Sequence, residues 1–404
     1  MRGTTVRAVN RLTARWADAL PPGGDTVLSA AGVWPLLAFL ADGAAGPARA
    51  ELADALGLPA EDAADAGRDL LAGLGRIPRT GTAVGLWTRP TVTVRPEWAA
   101  GLPDATLGRL GADDAANRKV LDAWAAERTG GLIPEMPVAV DPATELVLAA
   151  ALAVRTSWLR PFQGGGLFPE SGPWAGRELV GLYRTTGLLD RLGVAETGAG
   201  PLTVLRVLGD TGVDVHLLLG PEDAERGTVL RAGLDVLSGV HRAVPGGLLP
   251  PGEPGPGVTV RTVRSTTREP YLSVTTSPFA LAGDHDLTEL PGVFGLSSAL
   301  DATRGHFPGI ADHPPLAVNQ ARQAAMARFG AQGFEAASVT AFGLVGAGMP
   351  SQPYLVRAVD VDFDRPFGFL AVHRTSRLVL TAGWVHEPVP YPFDKEEDEE
   401  DEDD

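Results

Sequence analysis

Cysteine is absent from this chain of 404 residues. That excludes a disulfide framework and a thiol nucleophile together. Lysine is nearly absent: Lys119 and Lys395 are the only two among 34 Lys and Arg. No basic stripe runs through the sequence, so a nucleic-acid groove is not expected. No apolar run spans a bilayer, because the most apolar stretches, 27–40 and 146–154, fall short of the ~20 residues a crossing helix needs. Neither a Walker loop nor a GxSxG elbow is present. The seven histidines, His216, His241, His285, His306, His313, His373 and His386, form no HExxH and no paired metal-ligand spacing. No nucleophile–base pair is visible, so the chain is not expected to be an enzyme, and no metal or cofactor is implied.

What remains is an ordinary globular composition, 44% apolar and 21% charged, with enough chain to bury a sizeable core. Of the formal charge of −16, the tail Asp394–Asp404 carries −9 and the body −7. Such a run of like charge reads as a solvated tail. Arg in place of Lys, with abundant Ala, Gly and Pro, points to a high-GC, actinobacterial type of genome. Residues 1–19 are basic but amphipathic, without the apolar core of a secretory signal, so the expected location is the cytoplasm.

Helical spacing marks Val6–Leu20, Ser29–Asp42 with Ser29 as its cap, Pro47–Leu56 and Lys119–Glu127. From about residue 145 the pattern turns to strands: Leu146–Ser157, Leu202–Leu208, Val213–Leu219, Val258–Val263, Tyr271–Thr275, Pro315–Gly330, Leu355–Asp362, Phe367–Val372 and Leu378–Trp384. Gly209–Gly212 reads as a hairpin turn, Gly164–Gly166 as a turn, 250–255 as a loop, and His285–Gly295 as a short helix. Helices early and strands late give an α+β class. One stretch is unusual. Gly333-Phe334-Glu335-Ala336-Ala337-Ser338-Val339-Thr340-Ala341 has the small and β-branched residues of a strand, followed by a Gly-dotted apolar run to Pro350.

That stretch resembles the hinge and reactive-centre loop of the serpins, a family of protease inhibitors. Further segments resemble the family in order and spacing over about residues 5–390. They are Thr26–Trp34; Leu121–Trp124 with Thr129, Gly131 and Ile133; Leu146–Leu148 through Trp158 to Pro161-Phe162; Phe294-Gly295-Leu296; Phe307–Ile310; Phe363–Phe367; and Gly383–Pro388. The resemblance implies a serpin fold with three β-sheets, about eight or nine helices and an exposed loop at about 333–353. It implies a single domain over 1–393, with 394–404 as the tail.

It also implies function. A serine protease would cleave the loop and be held as a covalent acyl complex while the loop inserts as a new strand; the protein is then expected to be monomeric. Counting fourteen positions from Gly333 places the reactive bond at Ala347–Gly348, with Met349 as the alternative, which suits an elastase-like or subtilisin-like target. The hinge is Gly333, Phe334, Glu335, Ala336, Ala337 and Ser338. The sheet-opening region is Ser29, Ala150, Trp158 and Gln323. The alternative is a serpin-fold binding protein or protease-cleaved switch that does not trap. Three departures bear on that choice. Phe334 stands where a small residue is usual, which overpacks a tight sheet by about 1–3 kcal/mol unless the pocket is enlarged. Ala331 and Gln332 replace the usual acids. Ala150 and Gln323 replace the usual Asn and His beneath the sheet.

Overall fold

The computed structural model describes residues 1–138, 140, 144–311, 315–334 and 352–392. The first part of the chain forms α1 (Gly3–Asp18), β1 (Thr26–Leu28), α2 (Ala30–Gly43), α3 (Gly46–Leu56), α4 (Ala60–Leu74), β2 (Thr80–Thr88), α5 (Pro96–Ala100) and β3 (Leu107–Arg109). The middle adds α6 (Asp114–Thr129), β4 (Leu146–Val154), β5 (Thr156–Ser157), β6 (Gln163–Leu167), β7 (Leu179–Thr186), β8 (Leu192–Thr197), β9 (Gly200–Leu208), β10 (Val213–Leu219) and α7 (Arg226–Ser238). Then come β11 (Val244–Pro245), β12 (Gly252–Gly255), β13 (Val258–Ser265), β14 (Tyr271–Thr276), β15 (Phe279–Asp286), α8 (Pro291–Phe294), β16 (Gln320–Phe329), β17 (Gly333–Phe334), β18 (Tyr354–Asp362), β19 (Phe367–His373) and β20 (Leu378–Val385).

The strands form three sheets, and eight α-helices surround them among the described residues. One sheet runs β1-β20-β19-β10-β9-β8-β11 and a second β12-β13-β18-β14-β7-β6. The main sheet runs β3-β2-β4-β16, with β15 on the far edge of β16 and the short β17 and β5 at one end. At its centre every residue of β4 is buried, as its nearly uncharged sequence requires. α2 lies beneath it. A Cβ placed on Gly32 would sit 3.6 Å from the Leu152 Cβ and 3.9 Å from that of Ala150, so helix and sheet meet closely there. Ser29 caps α2 by accepting from the Gly32 N–H at 3.2 Å, and its hydroxyl donates to the Leu380 carbonyl at 2.7 Å, tying the helix start to β20.

Several elements differ from the sequence reading. α4 was not visible because the first half of its buried face is Ala60, Ala63, Ala64, Ala66 and Gly67, and the large apolar residues Leu70 and Leu74 come only in its last turns. Gly67 packs within ordinary reach of Ala38 and Phe39 only because it lacks a side chain. β2 is a strand within the part of the chain that reads as helical. His285 and Asp286 do not start a helix; they end β15, and helix follows only as a 3-10 turn at Leu287–Glu289 and a short α-helix at Pro291–Phe294. Gly164–Gly166 is not a turn. It is the edge strand β6, paired with β7, and its glycines leave room for the rings of Tyr183 and Phe168. Residues 252–255 likewise pair with β13, as an irregular edge strand.

Candidate functional site: a hinge set in the opening of the main sheet

β4 and β16 lie side by side and parallel, Val147–Leu152 against Gln320–Ala325. Beyond that register they part. β16 runs on to Phe329, and the chain turns back through Gly330–Gln332, closed by the Gly330 N–H on the Gly333 carbonyl at 2.9 Å. β17 then enters the gap. Phe334 pairs antiparallel with Phe329 on one side, while Gly333 and Phe334 pair antiparallel with Ser157 and Thr156 on the other. Thus Gly333 and Phe334, the two residues of the expected hinge that the structure describes, form a central strand, two residues long, between the diverging edges of β4–β5 and β16. Glu335, Ala336, Ala337 and Ser338, and the bond residues Ala347, Gly348 and Met349, lie outside the described residues, as does the acidic tail.

Gly333 is required by close approach. A Cβ there would lie 2.4 Å from the Thr156 carbonyl oxygen and 3.0 Å from the Ser157 Cα. Phe334 has its own pocket. Its side chain is 1% exposed, with its ring centroid 6.1 Å from Phe369. Phe369 stacks on Phe279 at 4.8 Å, and Phe279 on Phe329 at 5.3 Å. The overpacking expected of a large hinge residue is therefore met by an aromatic cavity built for it. Ala331 is buried and keeps its carbonyl on the Phe162 N–H at 2.8 Å, which an acid could do equally through its backbone. The Gln332 carbonyl accepts from the Trp158 N–H at 2.9 Å. Trp158 completes the turn by donating its indole N–H to the Gly330 carbonyl at 2.8 Å and packing on Phe329.

Behind β5 stands a clamp that sequence reading did not find. Asp210, in the hairpin turn between β9 and β10, accepts from the Ser157 N–H at 3.0 Å, the Thr156 hydroxyl at 3.2 Å and the Arg79 guanidinium. Desolvation works against its charge, and those hydrogen bonds overcome it, so its pKa lies below the usual value. Asp210 was legible only as a turn former, because its partners come from residues 79 and 156–157.

Lower in the seam, Gln323 of β16 stands opposite Ala150 of β4 and His285 of β15. Its side chain is fully buried, and neither its amide nitrogen nor its amide oxygen has a hydrogen-bond partner among the described residues. Ala150 can offer none. Ser29 spends its hydroxyl on Gly32 and Leu380 instead. The polar residues beneath the sheet therefore do not join across it, and the seam is held there by backbone pairing and apolar contact.

This arrangement, a sheet that divides around the root of an outgoing segment, has a counterpart in sequence. A profile of the family described as Serpin (serine protease inhibitor) matches residues 6–166 and 259–388. The chain belongs to the serpin family. Serpin-Z6C of Oryza sativa subsp. japonica is 27% identical over 421 residues, covering 95% of each protein. Serpin48 of the insect Tenebrio molitor, described as highly specific, superposes with a TM-score of 0.67 at 18% identity, over 94% of this chain and 97% of its own. A thyroxine-binding globulin complexed with thyroxine gives a TM-score of 0.70 at 14% identity, over 96% and 99%. At such identities the structural likeness establishes the serpin fold. The match also sets the general role, protease inhibition, and general partners, serine proteases. No helix among the described residues is long and apolar enough to cross a membrane.

Proposed function

We propose that this serpin is an irreversible suicide-substrate inhibitor of an elastase-like or subtilisin-like serine protease, acting as a monomer. The observation that carries the reading is the placement of β17. A strand continuing from Phe334 would run antiparallel to both β4 and β16 and fill the slot that β17 opens. Its entry exchanges one parallel interface for two antiparallel ones, so the backbone ladder grows. Ala336, Ser338 and Thr340 would share one face, small enough to pass between the strands. The protease serine, acylated at Ala347, would be drawn along before water releases it, and distortion of its oxyanion hole would stall deacylation. Met349 is the alternative residue at the bond. A cytoplasmic location and an actinobacterial source belong with this reading; both rest on sequence composition, whereas the curated relative above is a plant protein.

Incubation with a panel of such proteases should give a complex that survives SDS, and mass spectrometry of the released peptide should place the cut at Ala347 or within two residues. Ala336→Arg, which would bury an unpaired charge on insertion, should convert inhibitor to substrate. A trap that works equally well in that variant overturns the mechanism. A second reading, a binding protein that is cleaved without trapping, is favoured by Phe334, whose burial anchors the root of the loop. Equal thermal stability before and after loop cleavage would decide for it.

A further inference from the structure

Behind the hinge lies a cluster of charge that protease inhibition does not use. Four arginines, Arg160, Arg184, Arg191 and Arg206, line one cleft of ≈ 120 Å³ together with Leu159, Thr186, Leu188 and Leu208. The body of the protein is acidic overall, yet the carboxylate beside them is that of Asp190, 3.8 Å from the Arg191 Nε. Arg184 lies with its guanidinium carbon 4.3 Å from the centre of the Phe162 ring and donates to the Arg160 carbonyl at 2.9 Å. Arg160 donates to the Thr186 hydroxyl at 2.9 Å. Neither bond brings a negative charge. Burial and the neighbouring Arg160 charge push the Arg184 pKa down to about 10. The Nε atoms of Arg184 and Arg191 are buried without a hydrogen-bond acceptor among the described residues. Like charges and orphaned donors are costly together, and an oxyanion placed among them answers both.

Shape narrows the occupant. At ≈ 120 Å³ the cleft is small, which suits a tetrahedral oxyanion better than a larger ligand. Its mouth is flanked by Leu159 and Leu188, exposed at 57% and 40%, which offer apolar surface to whatever the anion is attached to. We propose that this cleft is a binding site for a phosphate group, and preferentially for a phosphate monoester with a small apolar substituent. The site stands apart from the reactive loop and holds whether or not the loop traps a protease. It touches the hinge at one point, Phe162, which carries Arg184 on its ring and the Ala331 carbonyl on its N–H.

The test uses the intact chain, with inorganic phosphate and phenyl phosphate at constant ionic strength, read as a shift in melting temperature. Both should raise it saturably at millimolar concentration, with half-saturation several-fold lower for phenyl phosphate. Arg160→Gln, at an exposed position, should fold normally and weaken both ligands about tenfold through loss of a charge-assisted hydrogen bond. Arg184→Gln should remove binding; if it does not fold, Arg191→Gln replaces it. Arg264→Gln, exposed on β13, should change nothing. A shift that never saturates and is the same in Arg160→Gln is general salt exclusion and overturns the site. Equal half-saturation for the two ligands overturns the apolar part of the assignment.

Discussion

Phe334 gives the sharpest test of how the hinge is held. Its ring is all but fully buried, and it adjoins the stack of Phe369, Phe279 and Phe329. Truncation to alanine removes the ring and leaves a cavity, at a cost of about 3–5 kcal/mol for a site that cannot collapse. This site is poorly able to collapse, because two of its walls come from β16 and β19, strands paired on both flanks, and the third from β15, paired along its length with β16. The loss is large against a typical domain stability of ~5–15 kcal/mol. Phe334→Leu, which conserves more volume, should cost less than about 1.5 kcal/mol. Threonine, the usual type at this position by family resemblance, should behave like alanine here. Urea unfolding followed by circular dichroism measures all three. The reasoning fails if Phe334→Ala loses under about 1 kcal/mol with an unchanged m-value. β17 would then detach on its own before the rest unfolds, and the aromatic pocket would not anchor the loop.

Three further outcomes are expected. Gln323→Leu should raise stability by about 1–2 kcal/mol, because it removes a buried amide whose two polar atoms have no partner among the described residues; a lower urea midpoint would show that the amide is satisfied in solution. Gly333→Ala should cost about 1–3 kcal/mol and speed proteolysis at the hinge, since its Cβ would strike the backbone of Thr156 and Ser157; an unchanged melting temperature would mean that β17 does not pair with β5. His216, desolvated in the wall of a ≈ 530 Å³ cavity with Asp214, Arg206 and Arg377 around it, has its pKa lowered from 6.5 to about 4. The unfolded chain takes up that proton first, so stability should fall as pH drops from about 6.5 to 4, by about 1–3 kcal/mol. His285 and His373 lean the same way, so the contribution of His216 is the difference between wild type and His216→Gln; identical pH profiles would refute it.

The legible parts of this fold are those whose signal is local. β4 announces itself because a strand buried on both faces must be apolar throughout, and the cap at Ser29 because a hydroxyl before an apolar helical run has one obvious use. Elements built from small residues were not legible. α4 and β6 do most of their packing with alanine and glycine, so large apolar residues mark only their ends, Leu70 and Leu74 in α4 and Leu167 in β6. The site shows the same division. Gly333 was expected to begin a hinge from its resemblance to the family's, but the reason it must be glycine lies at Thr156 and Ser157, far back in the chain. Phe334 looked like an obstacle because its neighbours in sequence are small. The residues that receive it, Phe279, Phe329 and Phe369, are spread over ninety positions and meet only when β15, β16 and β19 are in place. A side chain too large for its strand is a misfit only if the opposing surface keeps the family's usual shape. Here Phe279, Phe329 and Phe369 form a surface that receives the ring, so Phe334 stabilises β17. That makes the outcome of Phe334→Thr, gain of trapping speed or loss of stability, a direct reading of which partner governs the hinge.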